Sequence, residues 1–241
     1  MKKTQLAIAA LGFLLSSSAL AEGKWSYTGE HGVEHWGDTH PICAAGNNQS
    51  PINITQPLEV DLAPLNIQYQ GKVTELINNG HTVQANVEGL NTLLVDGKSF
   101  DLKQFHFHTP SENYIKNKQY PLEAHFVHAN EQGNLAVVAV MFEADPAFNK
   151  NLSNLLTEIP SEHDEVELDA EVKPSELLPS TDYYYRFNGS LTTPPCSEGV
   201  RWFVLQEPVA ASTKRISMLR EAMGANNRPL QPLNARVVVE K

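Results

Sequence analysis

The sequence is poor in cysteine: Cys43 and Cys196 are the two it has, and neither sits in a Cys-x-x-Cys pair. That excludes a disulfide-dense scaffold and argues against a zinc site built from thiolates. In an oxidising compartment an even pair reads as one disulfide, with two buried thiols as the alternative. Closing so long a loop would stabilise the fold by about 5 kcal/mol in the chain-entropy picture. Positive charge is also scarce. Against 28 Asp and Glu there are 18 Lys and Arg, a net charge of −10. General electrostatics therefore disfavour both nucleic acid and anionic membrane surfaces as partners. Internal repeats, charge blocks and flexible linkers are lacking as well.

Long apolar runs are confined to the start of the chain. Lys2 and Lys3 precede the uncharged run Leu6 to Leu15, and Ala19-Leu20-Ala21 supplies the small residues of a cleavage site. The run is shorter than the roughly 20 residues a membrane span needs, so residues 1–21 read as a signal peptide rather than an anchor. The remainder, 22–241, reads as one domain of an exported protein, periplasmic or secreted, with no membrane insertion.

What is present is mostly strand. Leu90 to Val95 and Lys98 to Leu102 flank Asp96-Gly97, a strong hairpin signal. Val73 to Ile77 and Val83 to Val87 alternate around Asn78-Asn79-Gly80. Leu135 to Phe142 is continuously apolar, as a strand buried on both faces would be, and Val200 to Leu205 is similar. Two helices are expected. One starts from the Asp145-Pro146 cap and carries Phe148, Leu152, Leu155, Leu156 and Ile159 on one side. The other runs from Ser212 to Met223 and stops at Gly224. Residues 160–199, rich in proline, read mostly as loop. The fold class is mainly β: one domain, a large, mainly antiparallel sheet and a few short peripheral helices.

Histidine carries the chemistry. In Gln104-Phe105-His106-Phe107-His108, strand alternation sends Gln104, His106 and His108 to one face and both phenylalanines to the core side. The next strand places Glu123, His125 and Val127 on one face. If it pairs antiparallel with the first, His125 completes a three-imidazole site. Zinc suits three neutral imidazoles with an open fourth position, the pattern of catalytic sites. Gln104 and Glu123 each lie two residues before a ligand on its own face and read as acceptors that fix the imidazole tautomers. His128 points the other way and reads as structural. His31, His35 and His40 read as ordinary N-terminal residues, and His163 as solvated.

The chain resembles the α-class carbonic anhydrases of the secreted bacterial kind. The marks occur in family order along nearly the whole of 22–241. They are Glu34-His35-Trp36-Gly37, Gln49-Ser50-Pro51-Ile52, Asn79-Gly80-His81, the 104–108 segment, Ser111-Glu112, Glu123-Ala124-His125, Leu191-Thr192-Thr193-Pro194-Pro195 and Arg228-Pro229-Leu230-Gln231-Pro232. The resemblance implies an α+β roll around a twisted, mostly antiparallel sheet of about ten strands. It implies zinc on His106, His108 and His125, and reversible hydration of carbon dioxide to bicarbonate and a proton by zinc-bound hydroxide. It implies Thr192 and Glu112 as the gate that orients the hydroxide, and His81 as proton shuttle. It places Val127, Val137, Leu191 and Trp202 in the apolar substrate wall, and Tyr27, Asn79, Gln84 and Thr193 on the wet side. It pairs Cys43 with Cys196. Anions and sulfonamides are the implied inhibitors, and a homodimer is compatible with the family. Thr109, Ala129, Asn227 and Gln84 depart from the pattern of animal members, which bears on pocket polarity more than on chemistry.

Overall fold

The computed structural model describes residues 24–168 and 171–241. The segment read as a signal peptide lies outside them. Fifteen strands are present among the described residues: β1 (Asn53–Ile54), β2 (Leu58–Glu59), β3 (Asn66–Tyr69), β4 (Lys72–Asn78), β5 (Val83–Glu88), β6 (Asn91–Val95), β7 (Lys98–His108), β8 (Tyr114–Ile115), β9 (Leu122–Ala129), β10 (Leu135–Ala144), β11 (Glu165–Glu167), β12 (Tyr184–Ser190), β13 (Glu198–Leu205), β14 (Val209–Ala211) and β15 (Val239–Glu240). The helices are α1 (Trp36–Thr39), α2 (Ile42–Ala45), α3 (Lys150–Leu155) and α4 (Thr213–Met223), with three short 3₁₀ turns. None is long and apolar enough to cross a membrane.

Thirteen strands form one mixed sheet. Its continuous path of ten runs β11-β4-β5-β7-β9-β10-β13-β12-β15-β2, and β3, β6 and β14 pair beside it. Most neighbours are antiparallel; β10 pairs parallel with β13 and β14, and β15 with β2. The sheet thus exceeds the expected ten by the three strands off the path. At the hairpin between β6 and β7, Asp96 and Gly97 take φ of 52° and 67°, the two positive values of a type I′ turn.

β10 explains its own sequence. Ala136, Val138, Val140 and Phe142 enter one apolar cluster, and Val137, Ala139 and Met141 enter another on the opposite face. A strand with core on both sides has no solvent face to mark with polar residues. Leu152, Leu155 and Leu156 near α3, and Leu219 of α4, cover the first cluster.

One irregularity decides where the histidines point. Phe100 and Leu102 occupy even positions of β7, Phe105 and Phe107 odd ones, yet all four are in the same cluster. Pairing of β7 with β9 shifts register between Leu102 and Gln104. The extra residue of this bulge reverses the alternation. Both apolar pairs then share the core face, and Gln104, His106 and His108 share the other. Each buried phenylalanine contributes roughly 1.5–3 kcal/mol to holding that register.

One expectation requires correction and another a refinement. The first helix does not start at Asp145-Pro146. Asp145 Oδ1 accepts from Ala147 N at 2.7 Å in a local turn, and the helix starts after Asn149, whose Oδ1 accepts from Leu152 N at 3.0 Å. Phe148, expected on the helix's buried side, precedes the cap and is exposed. Residues 160–199 are mostly loop, as expected, but not wholly. They contain β11 and the seven-residue β12, paired along its length with β13. Tyr184, Tyr185 and Phe187 have strong strand preference, and their partner strand lies nearby in sequence.

Candidate metal centre

His106 and His125 lie directly opposite each other on β7 and β9, and His108 is one pleat further along. One ring nitrogen from each lies within 4.8 Å of those of the other two. The opposite nitrogen of each ring is tied to the protein. His106 Nδ1 donates to Gln104 Oε1 at 2.9 Å, His108 Nδ1 to the Asn226 carbonyl at 2.7 Å, and His125 Nε2 to Glu123 Oε1 at 2.8 Å. Each donor bond fixes the tautomer that leaves a lone pair on the inward nitrogen. His108 Nε2 is buried without a hydrogen-bond partner. A buried polar atom left so in a native fold needs a reason, and a metal ligand is one.

The electrostatics agree. Burial pushes all three imidazoles below their usual basicity, and the mutual repulsion of their charged forms adds to this for His106 and His125. They are therefore neutral at neutral pH, the form that binds metal. Glu123 is fully buried and accepts from Glu112 N, Asn113 N, Asn113 Nδ2 and His125. Burial raises its carboxyl, and the donors around it oppose that rise. The donor set is thus three neutral nitrogens, each backed by an acceptor, and it suits zinc.

Glu112 stands at the edge of the triad. Its Oε2 is 3.6 Å from His108 Nε2 and 3.9 Å from His125 Nδ1, while Oε1 accepts from Arg228 N at 2.8 Å. Burial pushes its carboxyl up to about 8, against the pull of the Arg228 amide and the Thr192 hydroxyl. Thr192 is buried beside it, on the loop held by the disulfide Cys43–Cys196. Arg228 braces that corner. Its guanidinium donates to the carbonyls of Cys43 and Ser50 and to Gln49 Oε1.

On the other flank Trp202 packs edge-on to His125, with ring centroids 4.9 Å apart. Val137 and Trp202 belong to one apolar cluster, against which Val127 and Leu191 pack. The four expected wall residues thus share one apolar cluster, which meets the triad through Trp202. Gln84 lies opposite His106 on β5 and donates to Asn86 Oδ1 at 2.8 Å. Thr193 is half-buried, and its carbonyl accepts from Cys196 N at 2.8 Å. Tyr27 packs edge-on to Trp25 and Trp36, and its hydroxyl is raised by burial and by Glu112. Asn79 is exposed, and its Oδ1 accepts from His81 N and Thr82 N, which builds the turn rather than leaving that oxygen for water. His81 stacks on Trp25 with centroids 3.8 Å apart.

The residue that sequence reasoning missed is Asn226. Besides orienting His108 through its carbonyl, its side chain holds Thr109 N, Phe107 O and His81 O. Its signal was faint: the first of two adjacent asparagines, Asn226-Asn227, shortly after the helix-stopping Gly224.

The sequence profile of the eukaryotic-type carbonic anhydrases matches residues 31–241. The chain belongs to the carbonic anhydrase family. A carbonic anhydrase of Pectobacterium carotovorum is 48% identical over 98% of this chain and 99% of its own. The solved α-carbonic anhydrase of Photobacterium profundum is 63% identical, with a TM-score of 0.88 over 90% of this chain and 100% of its own. That of Thermovibrio ammonificans, solved with the inhibitor sulfanilamide, is 45% identical with a TM-score of 0.86, over 90% of this chain and 98% of its own. The chain is a carbonic anhydrase, and hydration of carbon dioxide is the family's general reaction.

Proposed function

We propose that this carbonic anhydrase is a zinc enzyme that hydrates carbon dioxide reversibly at His106, His108 and His125, with His81 carrying the released proton. The observation that supports the reading most is the trio of inward nitrogens, each left free by an outer hydrogen bond. A zinc ion held there would supply a Lewis acid that acidifies water, as is established for carbonic anhydrases generally.

The chain's own residues do the rest. Gln104, Asn226 and Glu123 hold the rings so that no ligand reorients during turnover. Val127, Val137, Leu191 and Trp202 offer an apolar surface to an apolar gas and exclude water from it. Thr192, donating its proton to Glu112, keeps a lone pair available and so accepts only from a correctly oriented nucleophile. That role requires Glu112 ionised, and a cation at the triad favours its carboxylate. Tyr27, Gln84 and Thr193 line the polar side. His81 is an imidazole whose basicity burial lowers, which suits proton release at neutral pH.

Sulfonamides and simple anions are the expected inhibitors, by analogy with the sulfanilamide-bound relative. Residues 1–21 as an export signal, and a periplasmic or secreted location, fit the disulfide. The test is metal removal. Stripping with a chelator should abolish carbon dioxide hydration, and one equivalent of zinc per chain should restore it. Activity that survives complete stripping would contradict the reading.

A further inference from the structure

The loop around residues 160–164 is tied to the turn that carries His81. Asn78 N donates to the Asp164 carbonyl at 3.0 Å, His163 N to the Asn78 carbonyl at 2.7 Å, and Asn78 Nδ2 to the Pro160 carbonyl at 3.2 Å. These ties set a second imidazole beside the first. His163 holds a φ of 67°, a left-handed conformation uncommon outside glycine. Its side chain is 74% exposed, so burial does not offset that strain. What the conformation achieves is position. A β-carbon on Gly80 would fall 2.8 Å from His163 Cε1 and 3.3 Å from Glu162 Oε1. Glycine at 80, itself at a φ of 83°, is what lets the His163 ring approach the His81 turn.

Both imidazoles line one open cavity of about 690 Å³, together with Glu162, Lys24 and His31. At about 30 Å³ per molecule, it has room for a chain of waters. Glu162 Oε1 lies 3.6 Å from His163 Nε2.

We infer that His163 is the outer partner of His81 in proton release, taking the proton through cavity water and giving it to buffer. The inference rests on the reading of His81 as shuttle. Protonated His81 loses one proton and returns to neutral; neutral His163 gains it, then loses it to a buffer base. No electrons move. His163 acts through His81 and is a positioning and relay residue, not a catalytic one. The local charges suit this. Burial and then the His163 charge lower the basicity of His81, and Glu162 opposes them. Burial, the largest of these effects, discourages His81 from retaining its proton.

The test compares the zinc-loaded enzyme with His163→Gln, His81→Ala and the double variant by stopped-flow hydration in weak, bulky buffer. His163→Gln should lower kcat severalfold, leave kcat/KM unchanged and recover in concentrated imidazole. It should add no loss in the His81→Ala background. An unchanged kcat for His163→Gln, beside a slowed His81→Ala, would overturn the relay alone. So would a loss that persists in the double variant or in concentrated imidazole. Full speed for His81→Ala in weak buffer would overturn the shuttle reading, and the relay with it.

Discussion

His125 and His128 lie three residues apart on β9, both buried, and burial lowers the basicity of both. His128 faces the apolar core. Its Nδ1 donates to the Ala136 carbonyl at 3.1 Å, and its Nε2 meets the Tyr69 hydroxyl at 2.5 Å. Both of its nitrogens are satisfied, and it is a structural residue. His125 faces the other way, with one nitrogen tied to Glu123 and the other turned toward His106 and His108. Burial and depressed basicity therefore do not mark a ligand. The number of nitrogens the protein itself leaves free does.

The contrast is sharpest under substitution. His106→Ala should lose zinc and at least about a thousandfold in hydration rate, read by metal analysis and stopped-flow. A variant that stays zinc-loaded and fast would remove His106 from the ligand set. Thr192→Val should keep its zinc and lose about a hundredfold in kcat, because the gate is removed and the ligands are not.

The disulfide gives a smaller effect, on stability. It closes a separation of 153 residues. Replacing both cysteines with serine should lower stability by about 2–5 kcal/mol in denaturant unfolding. An unchanged midpoint would show that Arg228 and its carbonyl partners hold that corner alone.

The smallest effect is at His128. Its basicity is pushed down to about 4 from an unfolded value near 6.5. A depressed histidine means that the unfolded chain takes up the proton first as pH falls. Stability is therefore intact above about 6.5 and is lost progressively down to about 4, by roughly 3 kcal/mol in all. Zinc-free His128→Gln should show a shallower acid loss than zinc-free wild type in urea titrations at pH 7 and 4.5. Equal slopes would mean that His128 does not contribute.

The histidine cluster was legible because all three histidines and two of their supporting acceptors lie on adjacent strands. Spacing of two plus alternation is a local signal, and it fixed which side chains share a face. The bulge was not legible. Reading 104–108 alone gives the right face, but nothing local shows that Phe100 and Leu102 obey the opposite parity. Asn226 was missed because it reaches His108 across 118 positions. Arg228 bridges still longer separations to Cys43, Gln49 and Ser50. Such contacts follow from how the chain returns on itself, which no window of sequence contains. The start of α3 was misread because Asp145-Pro146 and Asn149 are both chemically competent caps; Asp145 closes a local turn and Asn149 caps the helix.

The most direct test of the account is a zinc-edge anomalous map from crystals of the zinc-loaded protein. The account predicts one peak in contact with the inward nitrogens of His106, His108 and His125, and none at His128. A peak elsewhere, or zinc bound through any other donor set, would contradict it.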